Sequence, residues 1–388
     1  MALPLEGLRV LDCSRVLAGP FATMLLGDLG ADVVKLEPPD GDESRAWGPP
    51  FWGEPMERRS VYFASVNRNK RSIVVDLRTD GGRALLDRLA GVSDLLVHNY
   101  RPSTAARLGL DAPQLAERHP RLVVAIVGGF PGRDADRPAY DLLAQAVSGL
   151  MAVTGEPDGP PTKVGIAVLD LLAGLEVAVG ALAALVGRER VRTIDVSLVE
   201  SGVTSLINVL GGVLATGEEP QRYGSAHANI VPYQSFAASD GHLVVAIGND
   251  AQFRSLLDVL GLADSDGRFA TNPDRVGHRE ELVALLGDAI AERGRDELVE
   301  ALVAADVPAS PVNRVGEALA MMRRSVGGRW TEEIDGMSLA PSPFVVGGSR
   351  VPTRLPPPGL GEHTDEILGE TGVNADEVGK LRTAGVVA

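Results

Sequence analysis

Several residue types that mark familiar protein classes are scarce in this chain of 388 residues. Cys13 is its one cysteine, so an intrachain disulfide or a cysteine-based zinc site is excluded, and a reducing, cytoplasmic location is expected. Aromatic residues make up only 4%, whereas 45 glycines and 26 prolines accompany a hydrophobic content of 45%. That balance favours a loop-rich α/β enzyme over a disordered chain.

Positive charge is also in deficit. The formal net charge is −15, so no nucleic-acid partner is expected, although local groups of arginine and lysine can still bind an anion. The N-terminus lacks the basic start and apolar run of a signal peptide. Residues 165–187 are apolar and long enough to span a bilayer, but they include Asp170 and Glu176. Because acids are costly inside a membrane, we interpret the segment as a core helix and expect no membrane partner.

Motifs for common cofactors and nucleophiles are missing as well. The sequence has no glycine-rich P-loop and no GxGxxG after the first predicted strand, which argues against kinase-type and NAD-type proteins. It has no GxSxG elbow of a serine hydrolase. The six histidines are scattered without an i, i+4 partner, so no metal site and no permanently bound cofactor are expected.

What is present is a regular alternation of strands and helices. The pattern predicts strands at 8–11, 31–36, 71–77, 94–98, 122–127, 164–169 and 194–198, helices between most of them, and a further helix at 201–215. Continuous apolar strands separated by helices predict a parallel sheet covered on both faces. We expect a Rossmann-like large domain formed by 1–215 and 330–388, a smaller α+β domain at 230–317, and linkers at 216–229 and 318–329.

Asp170 is the first candidate for chemistry. It follows the apolar run 164–169 and opens the long helix predicted for 171–186. Parallel sheets bind ligands at the carboxyl ends of their strands, and the positive end of a helix favours an ionised carboxylate by about 0.3–1 kcal/mol. The same position suits an ordinary N-cap aspartate, and capping and nucleophilic roles are compatible.

A second candidate is a set of cationic side chains near predicted strand–loop junctions. Arginine clusters can hold the phosphates of a nucleotide-like ligand, but they also occur as solvated, salt-bridged surface. The set consists of Arg68, Lys70, Arg71, Arg101, Arg107 and Arg137.

Longer motifs carry a more specific signal. The chain contains GLRVLDCSRVLAGPFATMLLGDLGADVVKLE, NRNKRSIVVDL, DLLVHNYRP, RPAYDLLAQAVSGLMAVTGEPDGPP, KVGIAVLDLLAGL and LGEHTDEIL. In these segments it resembles the family III CoA transferases, which include formyl-CoA transferase, carnitine-CoA transferase and α-methylacyl-CoA racemase. The resemblance covers nearly the whole chain. It implies an interlocked homodimer and coenzyme A or acyl-CoA as substrate.

The resemblance also implies roles for individual residues. The catalytic aspartate of the family falls on Asp170, and Tyr140 falls near the thioester. Formyl-CoA transferase has a glutamine at the position of Leu17 and an arginine at that of Pro38, so a larger, more apolar acyl group is expected here. A mobile glycine-rich loop of the family has no clear match, and Gly248 and Asn249 are the candidates for it. The implied CoA-binding residues are Val16, Ala18, Asn69, Lys70, Asn99, Tyr100, Arg101, Arg107 and Arg137.

The function implied is transfer of CoA from an acyl-CoA, for which succinyl-CoA is a candidate, to a free carboxylic acid through an aspartyl-CoA thioester. Two alternatives stay open. A racemase of 2-methylacyl-CoA would need a second acid/base group. The racemase has a histidine where this chain has Tyr140, so Asp141 would have to serve. A CoA-binding protein without catalysis is the other alternative, against which Asp170 and Tyr140 argue.

Overall fold

The structure is a computed structural model that describes residues 2–54, 58–187 and 192–388. The chain divides into two compact units, each with its own apolar core. The first unit contains Met1–Leu150, Lys163–Thr216 and Arg329–Ala388. The second unit contains Met151–Thr162 and Gly217–Gly328.

The strands of the described residues are, in chain order, β1 (Arg9–Asp12), β2 (Asp32–Glu37), β3 (Phe51–Trp52), β4 (Arg59–Ser60), β5 (Lys70–Val74), β6 (Leu95–His98), β7 (Val123–Gly128), β8 (Thr193–Ser197), β9 (Tyr233–Ala238), β10 (Gly241–Ala246), β11 (Ala309–Pro311), β12 (Glu332–Ile334), β13 (Met337–Leu339), β14 (Val345–Val346) and β15 (Ser349–Arg350).

The α-helices are α1 (Ala18–Asp28), α2 (Val61–Ser65), α3 (Asp80–Gly91), α4 (Pro102–Leu108), α5 (Ala112–Arg118), α6 (Asp141–Val147), α7 (Leu150–Val153), α8 (Val168–Val186), α9 (Leu198–Ser205), α10 (Asn208–Thr216), α11 (Asp250–Leu260), α12 (Asn272–Gly277), α13 (Arg279–Ala291), α14 (Arg295–Ala304), α15 (Val315–Ser325), α16 (Thr364–Glu370) and α17 (Ala375–Thr383).

Six strands of the first unit form one parallel sheet in the order β5-β2-β1-β6-β7-β8. Val10 of β1 lies opposite Val33 of β2 on one side and opposite Leu95 of β6 on the other. Successive residues of a strand point to opposite faces of the sheet, so these continuously apolar strands place buried side chains on both faces. Helices α3, α5, α16 and α17 cover one face, and α1, α8 and α9 cover the other. The predicted α/β fold with a large parallel sheet is confirmed.

Helix α8 is the apolar segment singled out in the sequence. Among the described residues it is the one helix long and apolar enough to cross a membrane, a test that core helices of soluble proteins also pass. Its side chains Ala173, Val177 and Ala181 are fully buried in the cluster that α8 forms with α1 and the sheet. The helix therefore serves as a core element of the first unit.

Two local predictions are wrong. Residues 164–167 do not form a strand, and α8 already begins at Val168, so Asp170 lies in the first helical turn and not at the end of a sheet strand. The helix predicted for 201–215 is two helices, α9 and α10, which meet at an angle of 77°. The chain bends at Ile207, whose φ of 42° lies outside helical geometry.

The second unit combines one antiparallel sheet with helices. Its strands lie in the order β11-β10-β9, with Leu243 of β10 opposite Phe236 of β9. Its core contains apolar side chains from the sheet and from α11, α13 and α14, including Phe253, Leu286 and Leu302.

Candidate active site

A cavity of about 680 Å³ opens in the first unit. Its walls come from the segments that follow β1, β6 and β7 and from the end of β8, which is the carboxyl edge of the parallel sheet. Ligands of open parallel sheets bind at this edge. Nine of the predicted site residues line the cavity: Val16, Leu17, Ala18, Asn99, Tyr100, Arg101, Arg137, Tyr140 and Asp170.

Asp170 is half-buried at the cavity, and the segment 15–18 lies close to it. Gly174 follows Asp170 by one turn on the same face of α8. A Cβ on Gly174 would lie 2.6 Å from the carbonyl oxygen of Ala18, so only glycine allows this approach. The contact fixes the start of α1 against α8 within one helical turn of Asp170.

The side chain of Asp141 caps the N-terminus of α8. Its Oδ1 accepts hydrogen bonds from the backbone N–H groups of Leu169 (2.8 Å) and Asp170 (3.3 Å). Its Oδ2 accepts from Nε2 of Gln145 at 2.5 Å, and Oε1 of Gln145 accepts from the N–H of Val164 at 2.9 Å. Asp141 is buried, and with both oxygens engaged it positions α8 and is not a free second base.

This arrangement corrects the expectation that the helix terminus keeps Asp170 readily ionised. Burial, and next the negative charge of Asp141, raise the pKa of Asp170 to about 7. Asp141 already occupies the N-terminus of α8, so its charge opposes a second charge nearby. The N–H groups of residues 169–171 donate to Asp141 and to the carbonyl of Ala167, so they are also not free to bind an oxyanion.

The segment 15–18 is held in an unusual conformation. Val16 has a φ of 69°, a genuine outlier for a β-branched residue, and its N–H donates to Oδ2 of Asp42 at 3.2 Å. The carboxamide of Asn99 accepts from the N–H of Arg15 at 2.9 Å and donates to its carbonyl at 2.7 Å. Asn99 therefore lines the cavity but uses its side chain to position Arg15. Strained backbone of this kind is typical of functional sites.

Lys70 and Asn69, two of the predicted CoA contacts, are buried and do not line the cavity. Lys70 is fully buried, and its Nζ donates to Oδ2 of Asp12 (2.9 Å), the carbonyl of Pro20 (2.8 Å) and Oδ1 of Asn67 (2.9 Å). With three donors used, Lys70 has none left for CoA. Asn69 is likewise buried and bonds to Asp28 and to the backbone of 354–355. Both predicted side-chain contacts with CoA are corrected to structural roles.

The other cationic candidates separate into three groups. Arg68 pairs with Asp28, and Arg71 pairs with Asp32, Glu366 and Glu370, so both are engaged within the fold. Arg107 is exposed in the last turn of α4 and does not line the cavity. The two that remain are exposed side chains that line it: Arg101, which donates to the carbonyl of Asp136 at 3.2 Å, and Arg137, whose Cζ lies 4.2 Å from the ring centroid of Phe130.

Gly248 and Asn249 belong to the second unit. Asn249 is the N-cap of α11, and its Oδ1 accepts from the N–H of Gln252 at 3.0 Å. The N–H of Gly248 donates to Oε1 of Gln252 at 2.9 Å. Their predicted closeness to the substrate stays a prediction.

Sequence reasoning missed two side chains of this region. Arg15 lines the cavity. It directly precedes the predicted CoA-binding segment 16–18 in the sequence, and this adjacency was the signal that could have identified it. Tyr62 lies outside the quoted motifs. Burial, followed by the charges of Asp170 and Asp141, raises the pKa of Tyr62 to about 12, and its ring meets that of Trp47 edge-on with centroids 5.0 Å apart. Only the fold brings Tyr62 near Asp170.

The fold and the site define an α/β protein with a ligand-sized cavity at the carboxyl edge of its parallel sheet and a half-buried aspartate, Asp170, in the cavity wall. The family model for CoA-transferase family III matches residues 5–364. The chain belongs to this family and is a CoA transferase, which confirms the resemblance seen in its motifs.

Individual relatives agree with this assignment. The chain is 38% identical to a succinate–glutarate CoA-transferase of Agrobacterium fabrum, with 95% of each chain covered. It is 37% identical to the human succinyl-CoA:glutarate CoA-transferase, over 99% of this chain and 90% of that protein. A crystal structure of a CAIB/BAIF family protein from Brucella suis has a TM-score of 0.85 and 38% identity, covering 96% of this chain and 100% of that one.

Proposed function

We propose that this enzyme moves CoA from succinyl-CoA to a free dicarboxylic acid of about the size of glutarate, and that Asp170 is its nucleophile. The observation that carries the proposal is a half-buried carboxylate facing a cavity large enough for a substrate arm. The names of the relatives from Agrobacterium fabrum and human, both of which act between succinate and glutarate, support the choice of acids.

The chemistry proceeds by two acyl exchanges at Asp170. Its ionised carboxylate attacks the thioester carbonyl of the donor, the carbon–sulfur bond breaks, and a mixed anhydride and CoA thiolate form. The thiolate then attacks the Asp170 carbonyl of the anhydride, giving an aspartyl-CoA thioester and releasing the donor acid as its carboxylate. The acceptor carboxylate repeats both steps in reverse. Acyl activation is conserved throughout, so no cofactor has to be permanently bound.

We place the enzyme in the cytoplasm as a homodimer, with acyl-CoA and carboxylic acids as its partners and no nucleic acid or membrane. Apolar side chains that a second copy could cover support the dimer: Val179, Val186, Ile207 and Leu214 of the first unit are 67%, 84%, 75% and 78% exposed. The predicted linkers 216–229 and 318–329 are proposed to let the two chains interlock.

A mass-spectrometric screen tests the function. Purified enzyme is incubated with succinyl-CoA and a pool of mono- and dicarboxylic acids, and each new CoA ester is identified. We expect glutaryl-CoA or the ester of a similar dicarboxylic acid to form, with free succinate released in equal amount. Reactions without enzyme, or with CoA in place of succinyl-CoA, serve as controls. Release of free CoA without any new ester would contradict the proposal.

The pKa of Asp170 leads to a pH dependence. Only the carboxylate form attacks the thioester, and this form is lost as the pH falls through about 7. We expect kcat/KM for succinyl-CoA to fall about tenfold for each pH unit below that value and to level off above it. An initial-rate profile from pH 5 to 9 measures this. A rate that stays constant down to pH 5 would show that Asp170 titrates as an ordinary carboxyl.

A further inference from the structure

Arg15 is a cation in the wall of the cavity that has no anionic partner among the described residues. Its backbone is fixed by Asn99, whereas its side chain forms no ion pair or hydrogen bond with any described residue, and its buried Nε has no partner. The guanidinium carbon lies 4.8 Å from the ring centroid of Tyr100, so the aromatic face orients it. Buried donors in folded proteins almost always have a partner, and one in the wall of a cavity is placed to take that partner from a bound ligand.

The position of Arg15 separates it from the other cavity arginines. Arg101 and Arg137 are exposed, whereas Arg15 is half-buried. Arg15 also begins the segment whose far end, Ala18, contacts α8 one turn from Asp170. The exposed pair suits the phosphates of CoA at the opening. Arg15 belongs to the cavity-lining segment 15–18, whose far end reaches α8 within one turn of Asp170, and this segment therefore borders the side of the cavity where the acyl group has to be.

We propose that Arg15 binds the distal carboxylate of the dicarboxylic substrate and so selects dicarboxylic over monocarboxylic acids. This role rests on the proposed function and names the residue that selects the acceptor acid. A guanidinium presents parallel N–H donors that match the two oxygens of a carboxylate, and its stacking on Tyr100 leaves it preorganised. A monocarboxylic acid would leave these donors unpaired, and a site built to bond a polar group rejects analogues that lack it.

A competition experiment isolates this role. Succinyl-CoA is the donor, and glutarate and pentanoate, which have the same chain length, are present together at equal concentration. The ratio of glutaryl-CoA to pentanoyl-CoA depends only on the acceptor step. We expect Arg15→Met to lower this ratio by about 100-fold, and Arg15→Lys by about tenfold because lysine keeps the charge but loses the planar fork. Arg324→Met, at an exposed position of α15, should leave the ratio unchanged.

The outcomes distinguish a substrate carboxylate from a CoA phosphate as the anion that Arg15 binds. If Arg15 instead holds a CoA phosphate, Arg15→Met will weaken calorimetric binding of desulfo-CoA and leave the product ratio unchanged, which would overturn the proposal. A folded Arg15→Met variant with unchanged ratio and unchanged desulfo-CoA binding would overturn it as well. Should Arg15→Met not fold, the ratio obtained with Arg15→Lys decides. A wild-type enzyme that forms no new ester refutes the proposed function, which is a different result from an unaltered ratio.

Discussion

Replacing Asp170 with asparagine should abolish CoA transfer, with a loss of roughly four orders of magnitude or more in the initial rate. Asparagine keeps the size of the side chain but removes the anionic oxygen that attacks the thioester. In the wild-type enzyme, hydroxylamine added during turnover should convert the activated aspartate to its hydroxamate, detectable by peptide mass spectrometry at position 170. The asparagine variant should show neither turnover nor this modification.

The control for Asp170→Asn is Asp258→Asn, which makes the same change at an exposed position near the end of α11. It should keep the wild-type rate and the label at residue 170. Asp170→Ala repeats the experiment with a side chain that cannot revert to aspartate by deamidation. Transfer at more than a few per cent of the wild-type rate in both Asp170 variants would refute the covalent mechanism.

The order of strands and helices in the first unit could be predicted because its apolar strands and amphipathic helices have distinct periods. The same reasoning wrongly predicted a strand at 164–169, because a short apolar segment before an apolar helix has the composition of a buried strand. Asp170 was found by its motif, but its raised pKa was not. That shift depends on burial and on Asp141, and the sequence does not reveal that Asp141 caps α8.

The ion-pair partners of buried charges could likewise not be predicted from the sequence. Lys70 lies in a motif associated with CoA, which led to a predicted contact with the ligand. Its actual partner, Asp12, is 58 positions away, and the two meet only because β1 and β5 both pair with β2. Arg15 shows the converse, because only the fold shows that this cation in the cavity wall has no ion-pair partner in the part of the chain that the structure describes.

The Asp12–Lys70 pair should have the largest effect on stability. Both side chains are completely buried, and Oδ2 of Asp12 also accepts from Oγ1 of Thr23 at 2.7 Å. Burial alone would raise the pKa of Asp12, but the positive charges of Lys70 and Lys35 outweigh it and hold that pKa well below its ordinary value. The carboxylate at the end of β1 thus remains charged because of its cationic neighbours.

Lys70→Met should therefore lower the free energy of unfolding by about 3–5 kcal/mol, because it leaves the Asp12 charge buried without its closest partner. Urea denaturation at one fixed protein concentration measures this, with Lys380→Met on the surface of α17 as the matched control. The double variant Asp12→Asn with Lys70→Met should be less destabilised than the two single losses added together, since no uncompensated charge remains. A loss below about 1 kcal/mol for Lys70→Met would mean that water or Lys35 already compensates Asp12.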